Sequence, residues 1–113
     1  WMSAPSLLKK WQDEVFTFLS KTPAVAGKPL TVVTTTGSEY EAYRSGGRNR
    51  FTTDELLRPY QVNAIHSGMS WQTPIVVYGM GTADAGKNIA EGANLYKQRV
   101  EMLIGNSNAG NNW

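Results

Sequence analysis

Apolar side chains recur at Leu7, Leu8, Trp11, Val15 and Leu19 behind Pro5, with Lys9, Lys10, Asp13 and Glu14 between them. That spacing predicts an amphipathic helix over residues 5–19, with the proline in its first turn, where a missing N–H costs nothing. The stretch from Ser20 to Pro29 carries Pro23, Gly27 and Pro29 and reads as a loop. From Leu30 to Thr35 the helical period disappears, and a run rich in Val and Thr fits a buried parallel strand. It stops on Thr36-Gly37-Ser38.

A long loop, EYEAYRSGGRNRF, leads to Thr52 with Glu55 three residues on, a capping box that announces a second helix. Pro59 would break a backbone bond inside it, so the first turn is expected to be separate, with the regular helix starting near Pro59 and stopping at Gly68. Pro74 to Met80 reads as a second strand. Thr82 is then placed to cap a third helix in which Ile89, Ala93, Tyr96, Val100 and Leu103 share one face. The tail NSNAGNNW, residues 106–113, is polar and low in complexity and is expected to be disordered.

Helices alternating with strands predict an α/β fold with a parallel sheet, right-handed crossovers and both faces covered. Two strands are too few for a complete doubly wound domain. Residues 1–105 are therefore expected to be the C-terminal portion of an open, three-layer sheet, entering at the end of a strand beside residues 30–35.

Composition narrows the classes. With 113 residues, 41% apolar and 18% charged, the chain suits one globular domain at most. Eleven Lys and Arg against nine Asp and Glu leave a net charge of +2, without the basic stripe of a nucleic-acid surface. The absence of cysteine excludes disulfides, thiolate chemistry and cysteine-ligated metal, and no metal-ligand pattern stands out. It also fits a reducing compartment. No apolar run approaches the roughly 20 residues that span a bilayer, and the expected location is cytoplasmic, with neither membrane insertion nor a nucleic-acid partner.

In open α/β sheets, ligands bind outside the carboxyl ends of the strands. Trp1-Met2-Ser3, the Thr34–Ser38 segment with its loop, and Gly79–Thr82 occupy that edge. The first offers an aromatic plate, and the second offers backbone N–H donors, hydroxyls and the phenols of Tyr40 and Tyr43. Two readings stand: these groups hold a flat ring system with a polar rim, or Thr-Gly turns the chain and Trp1 packs a core. GTADAGKN, residues 81–88, has the glycine and lysine spacing of a phosphate loop, but Asn88 replaces the hydroxyl that would hold magnesium. It also follows the last strand, where a turn and a cap suffice. Arg44, Arg48 and Arg50 offer cations for an anionic partner or for water, and His66, Trp11 and Trp71 fit structural roles.

Three blocks carry a resemblance. WMSAPSLLKKWQDEVFT, VTTTGSEYEAYRSGGRNRFTTDELLRPYQ and HSGMSWQTPIVVYGM, with YKQRV near the end, together resemble the flavodoxin-like NAD(P)H:quinone oxidoreductases, in order, up to about Gly105. The resemblance implies a flavodoxin-like sheet and two-electron hydride transfer from NAD(P)H through FMN or FAD to a quinone, in a ping-pong cycle. It implies flavin contacts from Trp1, Met2, Thr35, Thr36, Gly37 and Ser38. Tyr43 would carry the catalytic role by donating to the ring carbonyl that becomes electron-rich on reduction. It further implies a homodimer with active sites at the subunit interface. Mammalian members have a histidine where this chain has Asn49, so no imidazole relay is implied. Some members are ancillary subunits of potassium-efflux systems, which makes a membrane transporter the partner in an alternative, regulatory reading; an inactive truncation is the third.

Overall fold

The computed structural model describes residues 2–108. The first helical stretch comprises α1 (Ser6–Trp11), a π-helical turn at Gln12–Phe16 and α2 (Thr17–Leu19). The Thr17 hydroxyl donates to the Gln12 carbonyl at 2.9 Å, five residues back, within the wide π turn. The expected amphipathic helix is present. Its apolar side chains lie open among the described residues, with Leu7 76% and Phe18 70% exposed.

The strand expected at 30–35 divides into β1 (Pro29–Leu30) and β2 (Val33–Thr35). Its neighbour divides likewise into β3 (Ser70–Trp71) and β4 (Ile75–Val77), so that the expected strand at 74–80 is shorter at its end and has a separate forerunner. Both pairings are parallel, Leu30 opposite Trp71 and Val33 opposite Ile75. Two residues, Thr31 and Val32, thus face three, Gln72, Thr73 and Pro74. The extra residue and the missing N–H of Pro74 interrupt the ladder as a bulge does. Pairing resumes where the Ile75 N–H donates to the Val32 carbonyl at 2.9 Å.

Between the strands, Thr52 caps α3 (Thr53–Leu56): its hydroxyl accepts from the Glu55 N–H at 3.2 Å. The chain breaks at Leu57, and α4 (Arg58–His66) begins with Pro59 in its first turn. Gly68, at φ +68°, closes α4 as the Met69 N–H reaches the Ala64 carbonyl at 2.9 Å. Thr82 belongs to the preceding turn rather than to a helix cap: its hydroxyl donates to the Gly79 carbonyl, and α5 (Ala85–Asn108) starts after Asp84. This helix runs through Asn106, Ser107 and Asn108, three residues of the stretch expected to be disordered; residues 109–113 lie outside the described part.

The helix face turned to the sheet is not the expected one. Asn88 bonds to the end of β4, Gly92 is buried against Val77, and Arg99 reaches the Thr73 carbonyl at 2.7 Å. Positions 88, 92 and 99 share one face, rotated by one residue from the Ile89–Ala93–Tyr96 row, whose Ile89 and Tyr96 stay about half exposed. Small side chains let the helix come close, and polar ones tie it down.

Few residues are buried, among them Ala42, Tyr43, Ala64 and Ile75. The radius of gyration of 15.6 Å exceeds the about 13 Å of a compact domain of this length. The described residues form one open wall of an α/β sheet.

Candidate functional site

The carboxyl ends of β2 and β4 are tied together by backbone hydrogen bonds. The carbonyls of Thr36, Gly37 and Ser38 accept from the N–H groups of Met80, Gly81 and Gly79 at 2.9, 2.8 and 2.9 Å. The Thr36 hydroxyl donates to the Ser38 carbonyl at 2.8 Å. The acceptors of this turn are therefore engaged, while the N–H groups of Gly37 and Ser38 make no backbone hydrogen bond among the described residues. The Thr35 side is exposed, and open space surrounds the place of a Cβ on Gly37. A turn with spent carbonyls and open N–H groups presents donors to whatever approaches the edge.

The loop beyond it makes a cluster of three phenols. Tyr43, 7% exposed, packs its ring 5.9 Å from that of Tyr78, and Tyr40 meets Tyr78 edge-on at 5.3 Å. The Tyr78 and Thr53 hydroxyls are 2.6 Å apart. Burial pushes the Tyr78 phenol above its ordinary pKa, with Asp54 adding to the rise and the Thr53 bond opposing it. Arg44 sets its guanidinium 5.6 Å from the Tyr40 ring centre, a cation–π contact. The cluster lines a groove of about 640 Å³ that runs along β4 to Leu95 and Arg99 of α5. Thr35–Ser38 do not line that groove, so the structure places Tyr43 and the Thr-Gly turn on the same connection, with Tyr43 in the groove and the turn outside it.

GTADAGKN is a turn and a helix start. Gly79 adopts φ +79°, and a Cβ there would lie 3.0 Å from the Thr82 hydroxyl and 3.1 Å from the Asn88 side-chain nitrogen. That nitrogen donates to the Tyr78 carbonyl at 2.8 Å. Asn88 is a fastener for the last helix, and Lys87 is exposed.

A family model described as flavodoxin-like fold, Flavodoxin_2, matches residues 1–100. The chain belongs to the Flavodoxin_2 family. Among relatives, General stress protein 14 of Bacillus subtilis (strain 168) is 40% identical over 106 residues, 90% of this chain and 60% of its own length. The glutathione-regulated potassium-efflux system ancillary protein KefG of Serratia proteamaculans is 44% identical over 80 residues, 67% of this chain and 44% of its own. The crystal structure of the general stress protein 14 of Treponema denticola, in complex with FMN, covers 91% of this chain and 60% of that one, with a TM-score of 0.78 and 27% identity. The crystal structure of an NADPH-quinone reductase from P. pentosaceus covers 81% and 58%, with a TM-score of 0.70 and 31% identity. The Flavodoxin_2 chain thus spans 60% or less of these proteins.

The flavodoxin-like α/β architecture expected from the sequence is the one found, with parallel strands and helices. Of the expected contacts in this Flavodoxin_2 chain, Trp1 lies outside the described residues. Met2 is exposed and in the left-handed region at φ 55°. The three loop arginines separate: Arg44 stacks on Tyr40, Arg48 donates to the Ser38 hydroxyl at 2.7 Å, and Arg50 turns the chain at φ 64°. His66 sits exposed in the last turn of α4. Tyr78 and Thr53 were not anticipated as parts of the site. A phenol directly after the apolar run IVV, at the carboxyl edge, was the signal available for Tyr78.

The turn fits a flavin's polar rim. Among the described residues, its Gly37 and Ser38 N–H groups have no backbone partner, Thr35 is exposed, and nothing lies within 4 Å of the place of a Cβ on Gly37. No described helix is long and apolar enough to cross a membrane.

Proposed function

We propose that this chain is the C-terminal part of a flavin-dependent NAD(P)H oxidoreductase, in which two electrons pass from NAD(P)H through FMN to a quinone. The observation that carries the reading is the Thr36–Ser38 turn, whose carbonyls are spent on residues 79–81 while the Gly37 and Ser38 N–H groups have no backbone partner among the described residues. Support comes from the family, from the FMN named in the Treponema denticola structure and from the activity named for the P. pentosaceus protein.

When bound, the flavin supplies the hydride-accepting and hydride-donating centre. The residues of this chain bind and orient it. Gly37 and Ser38 would donate N–H bonds to the ring's polar edge, Thr35 and Thr36 would flank it, and Met2 would supply apolar contact. Tyr43 would hold a phenol proton toward the ring carbonyl that gains charge on reduction, as a donor in an oxyanion site does. The packing of Tyr43 against Tyr78 would hold that ring in place.

The open apolar side of the α1–α2 stretch calls for a covering, and the proposal assigns it to the rest of the flavodoxin-like sheet and to a second subunit. A homodimer that works in the cytoplasm belongs to the same reading. The test is quinone-dependent NAD(P)H oxidation by the full-length protein loaded with FMN, which should be lost on removing the flavin and return on adding it back.

The similarity to KefG favours a second reading, an ancillary subunit that binds a potassium-efflux transporter. A protein that raises potassium efflux equally well when it cannot oxidise NAD(P)H would favour it.

A further inference from the structure

The turn that carries the Gly37 and Ser38 N–H groups is also held by a side chain ten residues beyond Ser38. The Arg48 guanidinium donates to the Ser38 hydroxyl at 2.7 Å and comes within 3.8 Å of the Glu39 carboxylate. Long arginines on a surface rarely hold one geometry unless the backbone delivers them. Here it does. The Asn49 N–H donates to the Ala42 carbonyl at 2.9 Å, and the Gly47 N–H donates to Arg44 at 2.8 Å, so residues 44–49 fold back on the 3₁₀ turn of Tyr40–Tyr43. Gly47 makes the approach possible: a Cβ there would collide with the Glu41 carbonyl and lie 2.8 Å from the Ala42 carbonyl oxygen. The close seating of the loop brings Arg48 back to Ser38.

We infer that Arg48 is a positioning residue, the clasp that fixes Ser38 and with it the orientation of the Gly37 and Ser38 N–H donors. A single guanidinium nitrogen, Nη2, makes both contacts, a hydrogen bond to the Ser38 hydroxyl and a longer ionic one to the Glu39 carboxylate. The clasp acts on the side chains of Ser38 and Glu39, and the bonds from residues 79–81 act on backbone carbonyls, so the turn has two separate fastenings. The link from the clasp to flavin binding rests on the proposed function; the link from the clasp to the turn does not.

The test uses the full-length protein as wild type, Arg48→Gln, Arg48→Lys, Ser38→Ala and the Arg48→Gln/Ser38→Ala pair. Two readouts are taken: amide hydrogen exchange without flavin at Gly79, Met80 and Gly81, whose N–H groups are bonded to the carbonyls of the turn, and the FMN dissociation constant from fluorescence quenching. Arg48→Gln should speed exchange at Gly79–Gly81 and weaken FMN binding, each by about two- to fivefold, the worth of one exposed charged contact. Arg48→Lys should lie closer to wild type than Arg48→Gln. In the Ser38→Ala background, Arg48→Gln should add little, because the bond it removes is already gone. Exchange unchanged in Arg48→Gln overturns the clasp, whatever happens to FMN. An undiminished effect of Arg48→Gln in the Ser38→Ala background overturns it as well. Faster exchange in Arg48→Gln, with a wild type that binds no flavin, supports the clasp and sinks the flavin reading alone.

Discussion

The side-chain nitrogen of Asn88 donates to the Tyr78 carbonyl across 2.8 Å, joining the first turn of α5 to the residue that follows β4. The residue that spoils the phosphate-loop pattern is thus the one that fastens the last helix to the sheet edge. Asn88→Ser completes the glycine, lysine and serine pattern in letters only. It should confer no ATP or magnesium binding by calorimetry, and it should lower unfolding free energy by about 1 kcal/mol in urea, through loss of the bond. A micromolar affinity for ATP in this variant would contradict the assignment.

The same helix meets the sheet at Gly92, where an added Cβ would strike the Val77 side chain. Alanine is worth about 1 kcal/mol more than glycine in a helix, and overpacking costs about 1–3 kcal/mol. Gly92→Ala should therefore come out less stable, by up to about 2 kcal/mol, in spite of its better helix propensity. Trimming the neighbour tests the cause: in a Val77→Ala background, Gly92→Ala should cost less than it does alone. Equal costs in both backgrounds would place the collision elsewhere.

Tyr78 gives the fold a dependence on alkaline pH. Its phenol is raised above the ordinary 10.0 chiefly by burial, so the unfolded chain loses this proton first. Stability from this group is complete below the unfolded value and falls as pH rises from there through the folded value. Chemical unfolding at increasing pH should show that loss in the wild type and a smaller one in Tyr78→Phe. At neutral pH, Tyr78→Phe should be less stable by about 1 kcal/mol, since the Thr53 hydroxyl loses its partner. A wild type and variant with parallel pH profiles would show that Tyr78 is not the group responsible.

Much of this fold can be read from residue patterns because it rests on local chemistry. Thr52 before Glu55, Pro59 after Leu57 and Gly68 after His66 each act within one turn, and each does in space what its letter suggests. The orientation of α5 was hidden for a physical reason. A hydrophobic period points to Ile89 and Tyr96, whereas contact with the sheet is made through Gly92, which has no side chain, and through Asn88 and Arg99, which are polar. The split of each strand follows from a one-residue difference in register that neither strand reveals alone.

The site divides in the same way. The Thr-Gly turn is a local motif, and its position at the carboxyl edge follows from the α/β order. The phenol cluster joins Tyr40, Tyr43, Thr53 and Tyr78, from three segments of the chain, through packing that only the folded sheet brings together. The three loop arginines are read from the sequence together, as cations for an anionic partner or for water. In space they have separate duties, and Arg48 alone reaches Ser38.

The central claim is that the turn at Thr36–Ser38 holds a flavin. Its most direct measurement is an equilibrium titration of FMN into the flavin-free, full-length protein, followed by the change in flavin absorbance and fluorescence. The account predicts saturable binding of one FMN per chain, weakened about tenfold or more when Gly37 is replaced by proline, which has no N–H to donate. A wild type that binds neither FMN nor FAD at saturating concentrations would contradict it.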